Sequence, residues 1–131
     1  MERAFTTRLP LAVLIILGVK RWENRACCPV PLKGRCGMSV SKASNESEYA
    51  NFISFVRQNA SDRLVAAIPS WRQVEGWRGM MIADLCYEVC DGPGPLIWNE
   101  GYQWWWKLSD VVLLGEPFPV RGNVGMWTIR K

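Results

Sequence analysis

Histidine is absent from all 131 residues, which removes Ser-His-Asp and Cys-His nucleophilic systems and most mixed Cys/His zinc sites before any motif is sought. Acid/base chemistry is left to Lys, carboxylates, Tyr or Cys. The five cysteines, at 27, 28, 36, 86 and 90, form no CxxC pair and show no spacing suited to tetrahedral zinc. Their odd number points to reduced thiols and a cytoplasmic setting, with no metal and no cofactor expected. Cys86 and Cys90 fall on one face of a presumed strand, too far apart to bridge, and read as packing residues. Long apolar runs are also lacking. The run Leu9 to Val19 (LPLAVLIILGV) has the character of a signal-peptide core, but it is shorter than the roughly 20 residues of a membrane span. Lys20 and Arg21 follow at once, without a small-x-small cleavage site, so it reads as a buried helix and no membrane contact is expected. Internal repeats and low-complexity tracts are absent.

What is present describes a chain that folds. A hydrophobic fraction of 49% with 21% charged residues is ordinary for a globular protein, and the length suits one domain spanning 1–131. Eight Trp, three Tyr and four Phe are more than one small core buries completely, so some are expected to line a groove. The net charge of +4 is unevenly placed: residues 1–42 hold eight Lys/Arg against two acids, and the remainder is net acidic. A basic N-terminal third suggests a polyanionic partner, against the plainer reading of a solvated face.

Hydropathy patterning predicts a strand over Ala4 to Arg8, a helix from Pro10 to about Leu17 stopped by Gly18, a turn leading into a strand over 19–25, and a strand from Arg35 to about Ser41. Asn45 with Glu48 makes a capping box, and Tyr49, Phe52, Ile53 and Val56 then follow helical spacing, a stripe that reads as core. Residues 60–78 read as an irregular connection with no more than one helical turn. Met81, Ala83, Leu85, Tyr87 and Val89 alternate as a strand with Asp84 and Glu88 on its other face. DGPGP at 91–95 ends it. Further strands are read over Tyr102 to Leu108, Val111 to Leu114 and Gly125 to Arg130. Five or six short strands with two early helices predict an α+β fold, a small mixed barrel with helices on its outside. On Trp104-Trp105-Trp106 the outer two side chains share one face, so one side is expected in the core and the other partly exposed.

The sharpest local feature is Gly18-Val19-Lys20-Arg21-Trp22-Glu23-Asn24-Arg25. Glu23 and Arg25 fall on one face of a strand, whereas Lys20 and Glu23 converge only if the backbone turns at residues 20–22. On spacing alone an exposed Lys20 and a structural Glu23-Arg25 pair read well. This run matches the GxKxxExR signature of the ASCH domain, a branch of the PUA-like barrel superfamily. Arg8-Leu9-Pro10 resembles the RQPW that opens the family's first helix. Lys33-Gly34-Arg35 through Ser39-Val40-Ser41-Lys42 resembles its GR-strand ending in HASK, and Pro117 to Trp127 is similar to its PxPxRGxxGxW ending.

The resemblance covers nearly the whole chain in order. It implies a PUA-like β-barrel with a cleft beside the GxKxxExR turn that takes RNA or a modified nucleotide. Its ligand site would draw on Arg8, Gly18, Lys20, Glu23, Arg25, Ser41, Lys42 and Arg121, with Lys20 at a phosphate or the reacting group and Glu23 and Arg25 on the pocket floor. Arg121 reads as a barrel clasp or a phosphate contact.

Some ASCH proteins resemble small amidohydrolases that deacylate N4-acylated cytidine, with threonine as nucleophile at the position of Glu23. Glu23 cannot act so, which leaves it as a general base for water with Lys20 stabilising an oxyanion. Ribonuclease activity in the family would use Lys and Tyr, with Tyr49, Tyr87 and Tyr102 as candidates. Ser39 stands where the family often has histidine, and Leu9 and Leu11 where Gln and Trp are common. Three functions follow: an RNA or nucleotide binder, a hydrolase using Lys20 and Glu23 as catalytic residues, and a protein-interaction module docking through an exposed Trp patch.

Overall fold

A computed structural model describes residues 2–129. The chain opens with strand β1 (Arg3–Thr7), after which helix α1 (Leu9–Ile16) takes Pro10 into its first turn, where a missing N–H costs nothing. Helix α1 ends in a Schellman motif: Gly18 N–H bonds Ile15 O at 3.1 Å, Val19 N–H bonds Leu14 O at 3.0 Å, and Gly18 adopts φ +76°. A side chain at residue 18 would be strained there, so the glycine defines where the helix stops.

After that turn come β2 (Trp22–Arg25), β3 (Lys33–Val40), α2 (Glu46–Asn59), α3 (Asp62–Ala67), α4 (Trp71–Val74), β4 (Met80–Asp91), β5 (Trp104–Pro119) and β6 (Trp127–Thr128). The strands make one six-stranded sheet in the order β2-β5-β4-β3-β1-β6, curled into a half-barrel. Among the named strands of the described residues β1 and β3 pair in parallel and the other pairings are antiparallel.

The mixed α+β class expected from the sequence is thus present, with differences in detail. Helix α1 is a core element rather than an outer one, burying Leu9, Pro10, Ala12, Val13, Leu14 and Ile15. The stretch 60–78 is more regular than its polarity suggests. Ser61 and Ser70 cap α3 and α4, and Ser70 with Gln73 closes a reciprocal capping box. The box expected at Asn45 is half formed: Asn45 accepts from Glu48 N–H at 2.9 Å, but the Glu48 carboxylate turns away to Arg8.

The two strands read over 102–114 are one, β5, because bulges absorb the break. Its register against β4 shifts near Asp110, which takes φ +50°. The closing strand is shorter than expected, and Arg130 lies outside the described residues.

Phe5, Leu9, Val13, Met38, Ile82, Leu85 and Trp106 form the centre of the core, with Phe5 and Trp106 edge to face at 5.8 Å. The alternation of the Trp run holds, but neither face is left open. Trp106 is fully buried inside, and Trp105 on the opposite face is 5% exposed because the Gly92 to Gly94 loop lies against its ring. A Cβ on Gly94 would fall 2.2 Å from Trp105 Cε3, so glycine is what lets the loop close down. All eight Trp are buried or half-buried. Among the described residues, no helix is long and apolar enough to cross a membrane.

Candidate functional site

The turn after α1 brings Lys20 and Glu23 together. Lys20 Nζ lies 2.7 Å from Glu23 Oε1, donates also to the Trp22 carbonyl, and stands 5.2 Å from the Trp98 ring centroid. The other carboxylate oxygen, Oε2, accepts from Arg25 Nε at 2.8 Å. Arg25 Nη2 in turn donates to the Thr6 carbonyl at 2.8 Å, and its guanidinium lies over the Phe5 and Trp106 rings. One carboxylate therefore joins two cations, and the three side chains tie the α1 exit and β2 to β1. Lys20 is 3% and Glu23 5% exposed, so the pair is removed from water and its charges depend on one another.

Beside this triad lies a cleft of two adjoining hollows, about 850 and 980 Å³ in volume. Thr6, Ser41, Asn123 and Val124 line both. Arg8, Glu23, Arg25 and Tyr102 line the first hollow; Lys42, Gly79, Arg121 and Gly122 line the second. Each volume is at or near the upper end of the range for small-molecule sites, about 300–1,000 Å³.

Six of the eight residues implied by the resemblance line one or other hollow: Arg8, Glu23, Arg25, Ser41, Lys42 and Arg121. Gly18 and Lys20 do not. Gly18 is exposed and shapes the helix end, while Lys20 is enclosed by Glu23, Trp22 and Trp98.

The cleft cations differ in what holds them. Arg8 Nε reaches both Glu48 oxygens, at 3.0 and 3.1 Å. Arg25 is neutralised by Glu23, and Arg3 donates to the Tyr87 hydroxyl at 2.9 Å. Lys42 and Arg121 make no ion pair and no side-chain hydrogen bond among the described residues.

Glycines position both of these free cations. The Lys42 stem lies across Gly79, whose φ is +74° and whose added Cβ would fall 2.7 Å from Lys42 Cε. Gly122 brings the Arg121 turn against β1, where a Cβ would fall 2.8 Å from Thr6 Oγ1. Val120 N–H to Gly79 O at 3.0 Å fastens the same turn. The contacts of this turn are thus made by backbone and by Gly122, and the exposed Arg121 side chain is unengaged among the described residues.

Ser39 is buried, its hydroxyl 2.9 Å from that of Thr6, which also accepts from Trp127 Nε1 at 3.0 Å. Of the tyrosines, Tyr49 donates to Pro69 O at 2.6 Å, and burial pushes its hydroxyl up to about 12. Tyr87 donates to Pro31 O at 2.8 Å. Neither tyrosine lines either hollow.

The sequence reading missed Asn24, 4% exposed, which bonds the backbone of residues 100–104 from β2. No local signal marks it, because its partners lie 76 to 80 positions along the chain. Among the described residues, no three Cys, Asp or Glu side chains come together as a metal ligand set. No protein-family model matches this chain, and no curated protein matches it either.

Proposed function

We propose that this chain is an ASCH-type protein of the PUA-like group that binds RNA or a nucleotide in the cleft beside Glu23 and Arg25. The carrying observation is the pair of cations without partners among the described residues, Lys42 and Arg121, lining a hollow that adjoins the one that holds Arg8 and Arg25. Charges held by backbone geometry without carboxylate partners suit phosphate oxygens, which fix a nucleic-acid chain in register. The four motif resemblances support the same reading, since GxKxxExR supplies the triad and the RG turn supplies Arg121.

A hydrolase built on Lys20 and Glu23 is the weaker reading. Both groups are spent on each other, and Lys20 does not line the cleft. A docking module built on an exposed Trp patch is weaker still, since no Trp is exposed.

The test is binding of a labelled single-stranded RNA by fluorescence anisotropy across a salt series. Affinity should fall with salt, and Lys42→Ala or Arg121→Ala should each lower the slope of log K against log salt by roughly 0.7, the value for one single-strand phosphate contact. Binding indifferent to salt and to both substitutions refutes the proposal.

A further inference from the structure

We infer that Tyr102 is the platform on which an unpaired base stacks in the cleft, so that the ligand is a single-stranded nucleotide chain rather than a duplex. The inference rests on the cleft reading above and adds to it what the cleft takes.

Tyr102 is the one tyrosine not used by the fold. The residue is 50% exposed, it lines the first hollow with Glu23 and Arg25, and its hydroxyl has no partner among the described residues. An aromatic ring left half in water forgoes part of the burial that stabilises Phe5, Tyr87 and Trp106 in the core.

Its backbone, by contrast, is held on both sides. Asn24 Oδ1 accepts from the N–H groups of Glu100 and Tyr102, each at 2.9 Å, while Nδ2 donates to the carbonyls of Tyr102 at 2.8 Å and Trp104 at 3.0 Å. Both acceptor sites and both donors of one buried amide are spent on this short segment. Before it, Gly101 takes φ +87° and its N–H bonds Asn99 Oδ1 at 2.8 Å, which makes the turn that presents residue 102. The ring is therefore open while its base is fixed, so little conformational entropy is lost when a ligand covers it.

A phenol ring stacks on the flat face of a base only where that face is free, and in a duplex both faces are already covered by neighbouring pairs. Lys42 and Arg121, without an ion-pair partner among the described residues, line the adjoining hollow that shares Ser41 with the first, and on this inference they meet the phosphates of a strand whose base rests on Tyr102.

The experiment measures binding of a fluorescein-labelled RNA of about eight nucleotides, a length within the range one small barrel covers. The same RNA is also presented annealed to its complement. Tyr102→Ala, Tyr102→Phe and the Lys42→Ala/Arg121→Ala double variant are compared with the unaltered protein, with circular dichroism as the check on folding.

The single strand should bind more tightly than the duplex. Tyr102→Ala should weaken it roughly 5- to 100-fold without changing the salt slope, whereas Tyr102→Phe should stay within about twofold, because the ring is kept. Equal affinity for strand and duplex overturns the inference, as does a Tyr102→Phe loss equal to that of Tyr102→Ala. If Tyr102→Ala binds like the unaltered protein while the double variant fails, the cleft reading stands and the platform is refuted. Binding of neither RNA form by the unaltered protein refutes the cleft reading and the platform with it.

Discussion

Replacing Glu23 by Gln removes the one negative charge between Lys20 and Arg25 while keeping the size of the side chain. The Glu23 side chain is 6% exposed, that of Lys20 4% and that of Arg25 20%. The carboxylate accepts from Lys20 at 2.7 Å and from Arg25 at 2.8 Å. The amide keeps one acceptor oxygen and turns the other position into a donor that faces a cation. Lys20 then has only the Trp22 carbonyl and the Trp98 face to offset its buried charge.

Breaking a buried pair by removing one partner costs about 3–5 kcal/mol. The hydrogen bond that survives puts Glu23→Gln near the lower end, about 3 kcal/mol. An unfolding entropy of about 2.1 cal/mol/K per residue gives roughly 0.3 kcal/mol/K for a chain of this length, so Tm should fall by about 10 °C.

Urea titration followed by far-ultraviolet circular dichroism measures the loss, with a thermal scan beside it. Adding Lys20→Met removes the stranded cation, and the double variant should recover about 2 kcal/mol of it, because an apolar residue of similar volume replaces a buried charge well. A Glu23→Gln loss below about 1 kcal/mol, the figure for exposed pairs, refutes the reasoning. So does a double variant no more stable than the single one.

Gly94→Ala forces a methyl group into the Trp105 ring; a urea titration should show a loss of about 1–3 kcal/mol, and an unchanged midpoint would mean the loop does not seat there. Arg8→Ala breaks a pair whose side chains are 41% and 32% exposed, so the same titration should show less than about 1 kcal/mol; a larger loss would mean the pair is a structural strut. Burial, with Asp84 adding to it, pushes the Cys36 thiol up to about 12, so a thiol-disulfide reagent at about pH 8 should label Cys36 only after unfolding. Labelling of all five cysteines at one rate contradicts this. The same shift has a sign in stability: between the ordinary value of 9.0 and about 12 the unfolded chain gives up the Cys36 proton first, so stability falls as pH rises. Urea midpoints across that window should fall less steeply in Cys36→Ala, and identical slopes refute the assignment.

Local chemistry carried far in this sequence. The α1 helix, its glycine stop, the α2 cap at Asn45 and the alternation of β4 are each settled within a few neighbouring residues, by backbone conformation and side-chain spacing. Each is present in the structure close to where the pattern places it. The pairing of Glu23 with Arg25 follows from strand periodicity in the same way. The capping residues of α3 and α4 were equally local, but the polar run around them concealed two short helices, of which α4 docks on Tyr49 through Trp71 and buries Val74 in the core.

Tertiary structure decided the rest, because the deciding contacts join residues far apart in sequence. The Lys20 ammonium is enclosed only because Trp98, nearly eighty positions along the chain, comes to lie over it. The Trp105 face is closed only because a glycine loop folds against it. Arg8 is neutralised by Glu48, while Lys42 and Arg121 find no ion-pair partner among the described residues. Charge, ring and loop are all visible in the sequence as residue types. Which cations are spent, and which aromatic residues stay exposed, depends on how the sheet curls and where the loops close over it.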